Sequence, residues 1–153
     1  MKRQPLKRHK ALQPLSREHH QGLLLAWKIR NGFQKGVSPK RIKVYADWFY
    51  ENHLIPHFKI EENYIFPLLG SEHEYIDRAM ADHQELHLLF EQEYDLDNVL
   101  HRIEQKLEEH IRFEERILFP EIQKTTDEEE MNKIEKIHHE MPFQDNPDDE
   151  FWK

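Results

Sequence analysis

The feature that most constrains this chain is a segment that occurs twice. His57-Phe58-Lys59-Ile60-Glu61-Glu62-Asn63-Tyr64-Ile65-Phe66-Pro67 is matched by His110-Ile111-Arg112-Phe113-Glu114-Glu115-Arg116-Ile117-Leu118-Phe119-Pro120. The His, both Glu, the Phe and the Pro coincide, and most other positions are conservative. In each copy a His and a Glu stand four residues apart. On an α-helix that spacing puts both on one face, one turn apart. Two further segments echo each other more weakly, Glu18-His19 and Asp82-His83. A chain built this way reads as two helical hairpins related by an approximate two-fold axis.

Helix punctuation supports that reading. Ser16 is placed to cap a first helix carrying Leu23, Leu24, Ala26 and Trp27 to about Arg30, with Asn31-Gly32 as its stop. Ser38-Pro39 starts a second helix that runs to about Leu69, with a kink expected at Pro56 and a stop at Gly70. Ser71 to Glu74 reads as a capping box for a third helix, carrying Ile76, Met80, His83, Leu86, His87 and Phe90. After a turn near Asp95 to Asp97, a fourth helix runs from about Asn98 to Gln123. Its stripe is Leu100, Ile103, Leu107, His110, Glu114 and Ile117. Thr126 to Glu129 is a second capping box, opening a short fifth helix to about His139. Nothing alternates with period two, so no sheet is expected. The expected fold is all-α, an up-down-up-down four-helix bundle with a short extra helix over residues 1–140. An acidic tail follows over residues 141–153, with Phe143, Phe151 and Trp152 as its anchors.

Composition narrows the chemistry. The chain has 12 His and no Cys. The missing thiols remove disulfides, thiolate zinc sites, iron–sulfur clusters and Cys nucleophiles. A net charge of −8 argues against nucleic acid as a partner. No apolar run approaches the roughly 20 residues of a membrane span, so no membrane partner is expected. The basic run Lys2, Arg3, Lys7, Arg8, Lys10 has no apolar signal core behind it and reads as a solvated lead-in, which makes a cytoplasmic location the default expectation.

The two His–Glu pairs, with one His from each remaining helix, supply four His and two Glu. That set suits a pair of metal ions sharing bridging carboxylates. A single such pair is usually an exposed helix ion pair worth about 0.2–0.5 kcal/mol. His87 and Glu91 have the same spacing and carry that plainer reading. The repetition on apolar stripes changes the balance. A buried carboxylate and imidazole without partners would cost several kcal/mol, roughly, and a metal removes that cost. Nitrogen and oxygen donors without sulfur favour iron or manganese, with zinc as a further occupant. Protons compete for imidazole, so acidification below roughly pH 6.5 is expected to release the metal.

His57-x-x-x-Glu61-Glu62 with Phe66-Pro67, and His110-x-x-x-Glu114-Glu115 with Phe119-Pro120, resemble the paired motifs of the hemerythrin-like, HHE cation-binding family. The likeness covers about residues 12–124. It implies a non-haem di-iron centre with His19, His57, His83 and His110 as terminal ligands and Glu61 and Glu114 as bridges. His20 stands as the alternative to His19, and His87 as a further candidate ligand. The animal oxygen carriers have His-x-x-x-x-Asp in the fourth helix, where this chain has His110-x-x-x-Glu114. The chain is therefore more similar to the bacterial branch, which includes iron-centre repair and stress-related proteins. The resemblance implies binding of O2 or NO, or redox and iron handling. His53, one turn before His57, is read as outer support or packing. His9, His73, His101, His138 and His139 are read as surface residues.

Two other readings compete. A ferritin-like di-iron oxidase would use Glu-x-x-His on two helices, and here that spacing occurs only at Glu135-x-x-His138. A helical interaction module without metal would leave the histidines on the surface. A His-Glu-x-x-His zinc motif, a phosphate-binding Gly loop and a nucleophile elbow are all absent. With no output domain in view, small-ligand or iron handling is favoured over committed catalysis.

Overall fold

The computed structural model describes residues 7–138 and 143–153. Lys2, Arg3, His139 and Met141 lie outside the described residues. Among the described residues the chain is helical and has no strand. Among these same described residues the helices form five runs, and none is long and apolar enough to cross a membrane.

The first run is α1, Gln13–Gln34, with Pro14 in its opening turn. Ser16 is not its cap; the helix has already begun, and the Ser16 hydroxyl donates to Glu115 instead. Nor does Asn31-Gly32 stop it. Gly32 is buried because Phe151 lies where a Cβ would sit, 2.7 Å away. Gly36, at φ +73°, makes the turn that follows.

The second run holds α2, Pro39–Phe49, and α3, Ile55–Ile60, and ends in a 3-10 turn, Phe66–Leu69. Ser38 sits at the start in extended geometry, but its side chain makes no capping bond. Gly70 closes the run at φ +85°. The third run is α4, Glu74–Glu91. His73, not Ser71, caps it by accepting from the Tyr75 N–H. Asp95, in the left-handed region at φ 54°, leads into α5, Leu96–Phe113. The fourth run continues to α6, Phe119–Thr125. The last is α7, Glu128–Ile137, capped by Asp127 rather than Thr126.

Proline has no N–H, and its ring crowds the carbonyl four residues back. Three prolines inside helical runs are accommodated in one way. Pro56, Pro67 and Pro120 each follow a π-helical stretch: Tyr50–Leu54, Glu61–Ile65 and Glu114–Leu118. In these turns the carbonyls of Tyr50, Glu61 and Glu114 accept from the N–H five residues on. The disturbance expected at Pro56 thus becomes a widened turn inside a continuous helix. The extra residue also shifts the buried stripe. Leu118 is buried, and Ile117, expected on that stripe, is exposed. Trp27 and Met80 are likewise largely exposed, while Leu25 and Ile29 face inward.

Helix α5 packs against α1, α2 and α4. The buried apolar residues fall into two clusters. One gathers Leu25, Ile42, Phe58, Leu86, Leu107 and Phe151; the other gathers Leu15, Ile65, Ile76, Phe113, Leu118 and Met131. Each of the four long runs feeds both clusters. His19 and His83 lie between the two contributions of their runs, and His57 with Glu61 and His110 with Glu114 lie where the two clusters adjoin along theirs. The polar layer therefore sits at the waist, where the helices are best supported from both ends.

The tail docks as expected. Phe151 and Trp152 are buried, and Phe143 packs on Phe49. Lys28 is buried beneath it, donating to Tyr45 and Asp145 at 2.7 Å, with its ammonium 4.0 Å from the Trp152 ring centroid. Arg8 is no plain solvated lead-in, since it bonds Gln123 and the Glu115 carbonyl. His9 ties the chain start to Glu128.

The Gly32–Phe151 contact gives a test. Gly32→Ala should force the Phe151 ring out of its seat and destabilise the protein by about 1–3 kcal/mol, the usual range for overpacking. Chemical denaturation should show the loss, and limited proteolysis should cut the tail earlier. Unchanged stability with a protected tail would mean that α1 and the tail are not packed as described.

Candidate metal centre

Six side chains from all four long runs meet at the waist. Glu61 and Glu114 are fully buried, and His19, His57, His83 and His110 are at most 5% exposed. They form two groups that could each hold a metal ion: His19, His57, Glu61 and Glu114, and His83, His110, Glu61 and Glu114. The two carboxylates belong to both. Within each group the donor atoms lie within 4.8 Å of one another. His57 Nε2 and His83 Nε2 stand 3.3 and 3.2 Å from Glu61 Oε1. His19 Nε2 and His110 Nε2 each stand 3.0 Å from Glu114 Oε1. Donors bound to a common ion at about 2.1 Å sit roughly 3 Å apart, so these spacings suit a shared cation.

Local structure explains why the two Glu arrive together. Each opens a π-helical stretch, Glu61–Ile65 and Glu114–Leu118. A widened turn re-aims successive side chains, and such turns recur at functional sites. Here the first Glu enters the centre and the second reaches a histidine of another run.

That second contact belongs to a closed outer ring. His19 Nδ1 donates to Glu115, and His83 Nδ1 to Glu62, both at 2.7 Å. His57 Nδ1 donates to Glu18 at 2.7 Å, and His110 Nδ1 to Asp82 at 2.9 Å. A carboxylate only accepts, so each Nδ1 carries the proton. The Nε2 atoms are thereby turned to the centre, the arrangement that outer carboxylates impose on metal-binding imidazoles. Sequence reading missed these roles. The signal lay in the repeat, because the second Glu of each long motif and the acid before His19 and His83 are the residues concerned.

Several central atoms have no hydrogen-bond partner. They are Nε2 of His57, His83 and His110, both oxygens of Glu61, and Glu114 Oε2. Buried polar atoms are satisfied in the great majority of cases, so a cluster of orphans at one point asks for a cation.

The remaining candidates fall outside this set. His20 is exposed, one residue beyond the inward face. His87 is half-buried with its Nδ1 2.5 Å from the Tyr50 hydroxyl, and it is in neither group. His53 packs among Trp48, Phe49 and Phe143. His73 is a helix cap, and His101 stacks on Phe33. His138, expected at the surface, is buried with Nε2 3.3 Å from Glu18. The end of α7 folds back on α1, and that contact hides it.

Burial alone would push these imidazoles toward neutrality, but the carboxylates outweigh it. His57 is raised to about 9 by Glu61 and Glu18 against its desolvation. His83 also reaches about 9, through Glu61 and Glu62. His19 and His110 are raised in the same way. Glu61 is held well below its ordinary value, because the surrounding imidazoles overcome its desolvation. Glu18 falls to about 2, as His138 and His57 overcome its partial burial.

No protein-family model matches the chain, and comparison with curated proteins and with solved structures finds no match either.

The raised values set a pH window for the metal-free protein. A group whose pKa is higher folded than unfolded contributes stability in full below its unfolded value, and loses it as pH rises through the folded one. For His57 and His83 the loss therefore runs from roughly pH 6.5 to about 9. The depressed Glu61 contributes above its ordinary carboxylate range and is lost only on strong acidification. Metal-free protein should melt at its highest temperature near pH 5 to 6.5, roughly, and at lower temperature as pH approaches 9. Circular dichroism melts across that range test this; a melting temperature that climbs from pH 6 to 9 would contradict it. Metal uptake must displace these protons, so competition extends well above the pH 6.5 expected for unperturbed imidazole.

Proposed function

We propose that the chain is a hemerythrin-like, non-haem di-iron protein that handles a small diatomic ligand, O2 or NO, or iron itself. The observation that carries this reading is the set of orphaned donors shared between two four-residue groups. In this reading the four long helical runs form an up-down-up-down bundle around the centre. His19 and His57 would hold one ion and His83 and His110 the other, with Glu61 and Glu114 common to both groups. When bound, iron supplies one-electron redox chemistry and open coordination positions for a small ligand. The protein's part is to orient the imidazoles through Glu18, Asp82, Glu62 and Glu115, and to flank the centre with an apolar cluster on either side.

Donor chemistry supports iron, with manganese and zinc as substitutes. The paired carboxylates support two ions over one. His87 stays out of the set because Tyr50 engages it. That leaves coordination positions open, which suits ligand binding or iron transfer. A ferritin-like oxidase is disfavoured, because Glu135 is exposed and its partner His138 belongs to Glu18. An interaction module without metal would leave the orphaned atoms unexplained.

Protein isolated from iron-replete cells should carry close to two irons per chain by metal analysis. One zinc and no iron, found reproducibly, would overturn the reading. Glu61→Ala and Glu114→Ala should each lose the paired site, and His57→Ala and His110→Ala should resemble each other. Asp82→Asn and Glu62→Gln should weaken binding by about 10–100-fold through the outer contacts. His73→Ala and His101→Ala should bind metal as the parent does. Loss of metal in His73→Ala as complete as in His57→Ala would show that the centre lies elsewhere.

A further inference from the structure

The six central ligands are not equally enclosed. His19 and His57, at 4% and 5%, are the most exposed; Glu61 and Glu114 are at 0%, and His83 and His110 at 1%. A cavity of about 1010 Å³ reaches both imidazoles of the His19–His57 pair but only His110 of the His83–His110 pair. It lies between α1, residues 48–60 and the tail, and both His19 and His57 line it. It is rich in imidazole, since His20, His53, His110 and His138 line it as well. Half of the chain's 12 histidines thus border one space.

Besides the central His57 and His110, two of these have buried Nε2 atoms without a hydrogen-bond partner among the described residues, His53 and His138. His138 is only 8% exposed. Its Nε2 is 3.3 Å from one oxygen of Glu18, and the other oxygen of Glu18 accepts from His57 Nδ1 at 2.7 Å. Glu18 therefore links the cavity wall directly to a central ligand. The far wall is the tail, where Phe143 packs on His53 with ring centroids 4.7 Å apart. On the opposite side of the centre a smaller cavity of about 420 Å³ is bordered by Glu62, His83 and His87. There the Nδ1 of His83 is taken by Glu62 and that of His87 faces Tyr50.

We propose that the large cavity is the path by which hydrated divalent first-row cations reach and leave the centre, with the His138–Glu18 contact as its inner gate. The proposal rests on the two-metal reading above. A cation leaving water needs replacement donors along its way, and neutral imidazole and carboxylate suit first-row ions. Exposed His20, then His53, then Glu18 and His57 supply them in turn, with His138 set against Glu18 as the barrier. The ion held by His19 and His57 lies on this path and exchanges with solvent. The ion held by His83 and His110 meets this space through His110 alone and is retained.

The test follows iron(II) leaving fully loaded protein, without oxygen, into excess of a coloured chelator. Two phases of one ion per chain are expected. His138→Ala should speed the fast phase by roughly tenfold, on the scale of lost outer contacts, with the slow phase and the starting stoichiometry unchanged. Phe143→Ala, which opens the tail wall without touching Glu18, should do the same, and circular dichroism confirms that each variant is folded. His87→Ala, at the other cavity, should leave the fast phase alone. Release of both ions in one phase overturns the proposal, as does a fast phase indifferent to both wall variants or one accelerated by His87→Ala. A chain that takes up no iron overturns the two-metal reading itself, and is recognised at the loading step.

Discussion

Everything in this structure is arranged around six ionisable groups buried at one level of a helical protein. Charges in a low-dielectric interior cost several kcal/mol each, roughly, unless they are paired and hydrogen-bonded. The pairing here is close to complete in charge. Two central and four outer carboxylates face four imidazoles, with Lys106 on Asp82 at 2.7 Å and Arg8 near Glu115 at 3.5 Å. With all four imidazoles protonated, the six negative charges meet six positive ones. Two divalent cations carry the same charge as the four protons they would displace. The centre is balanced with protons alone, so protons would compete strongly with any cation taken up there.

The geometry of that balance depends on backbone irregularity. A regular α-helix would carry Glu61 and Glu62, or Glu114 and Glu115, past the centre at a fixed angular step. The π-helical stretches that begin at Glu61 and Glu114 change that step where two adjacent carboxylates reach the two ring nitrogens of one histidine, His83 for Glu61 and Glu62 and His19 for Glu114 and Glu115. The prolines that follow cannot donate a backbone bond. Pro67 and Pro120 thus belong to the same device as the ligands ahead of them.

The repeat made the helical class and the six central residues legible, because period and burial act on the same positions. Helix ends were read less well, for local reasons. Ser16, Ser71 and Thr126 had good capping chemistry, but each competed with a neighbour whose bond was better placed: His73 bonds Tyr75 and Asp127 bonds Glu130, while Ser16 found Glu115. Ile117 was placed on the buried stripe because a strict heptad ignores the extra residue of a π turn. His138 was misplaced because its burial comes from Glu18, 120 positions away in the chain. No local pattern carries information about a contact of that kind.

The two halves of the repeat also differ in a way that bears on how the centre communicates with solvent. Pro56 precedes His57, whereas the residue before His110 is Glu109. The second run accordingly has a π stretch, Tyr50–Leu54, ahead of its first ligand, and α5 continues without one to Phe113. The segment altered by that stretch, residues 48–60, gives the large cavity a long wall, to which α5 adds Leu107, His110 and Ile111. Where α5 stays regular, Lys106 fills the position that corresponds to His53 and seals that flank by pairing with Asp82 and Glu85. A near-symmetric set of ligands is thus held in an asymmetric shell. The asymmetry traces to two positions of the repeat, Pro56 against Glu109 and His53 against Lys106, and it sets imidazole on the flank of the large cavity against an ion-paired lysine at the matching place on α5.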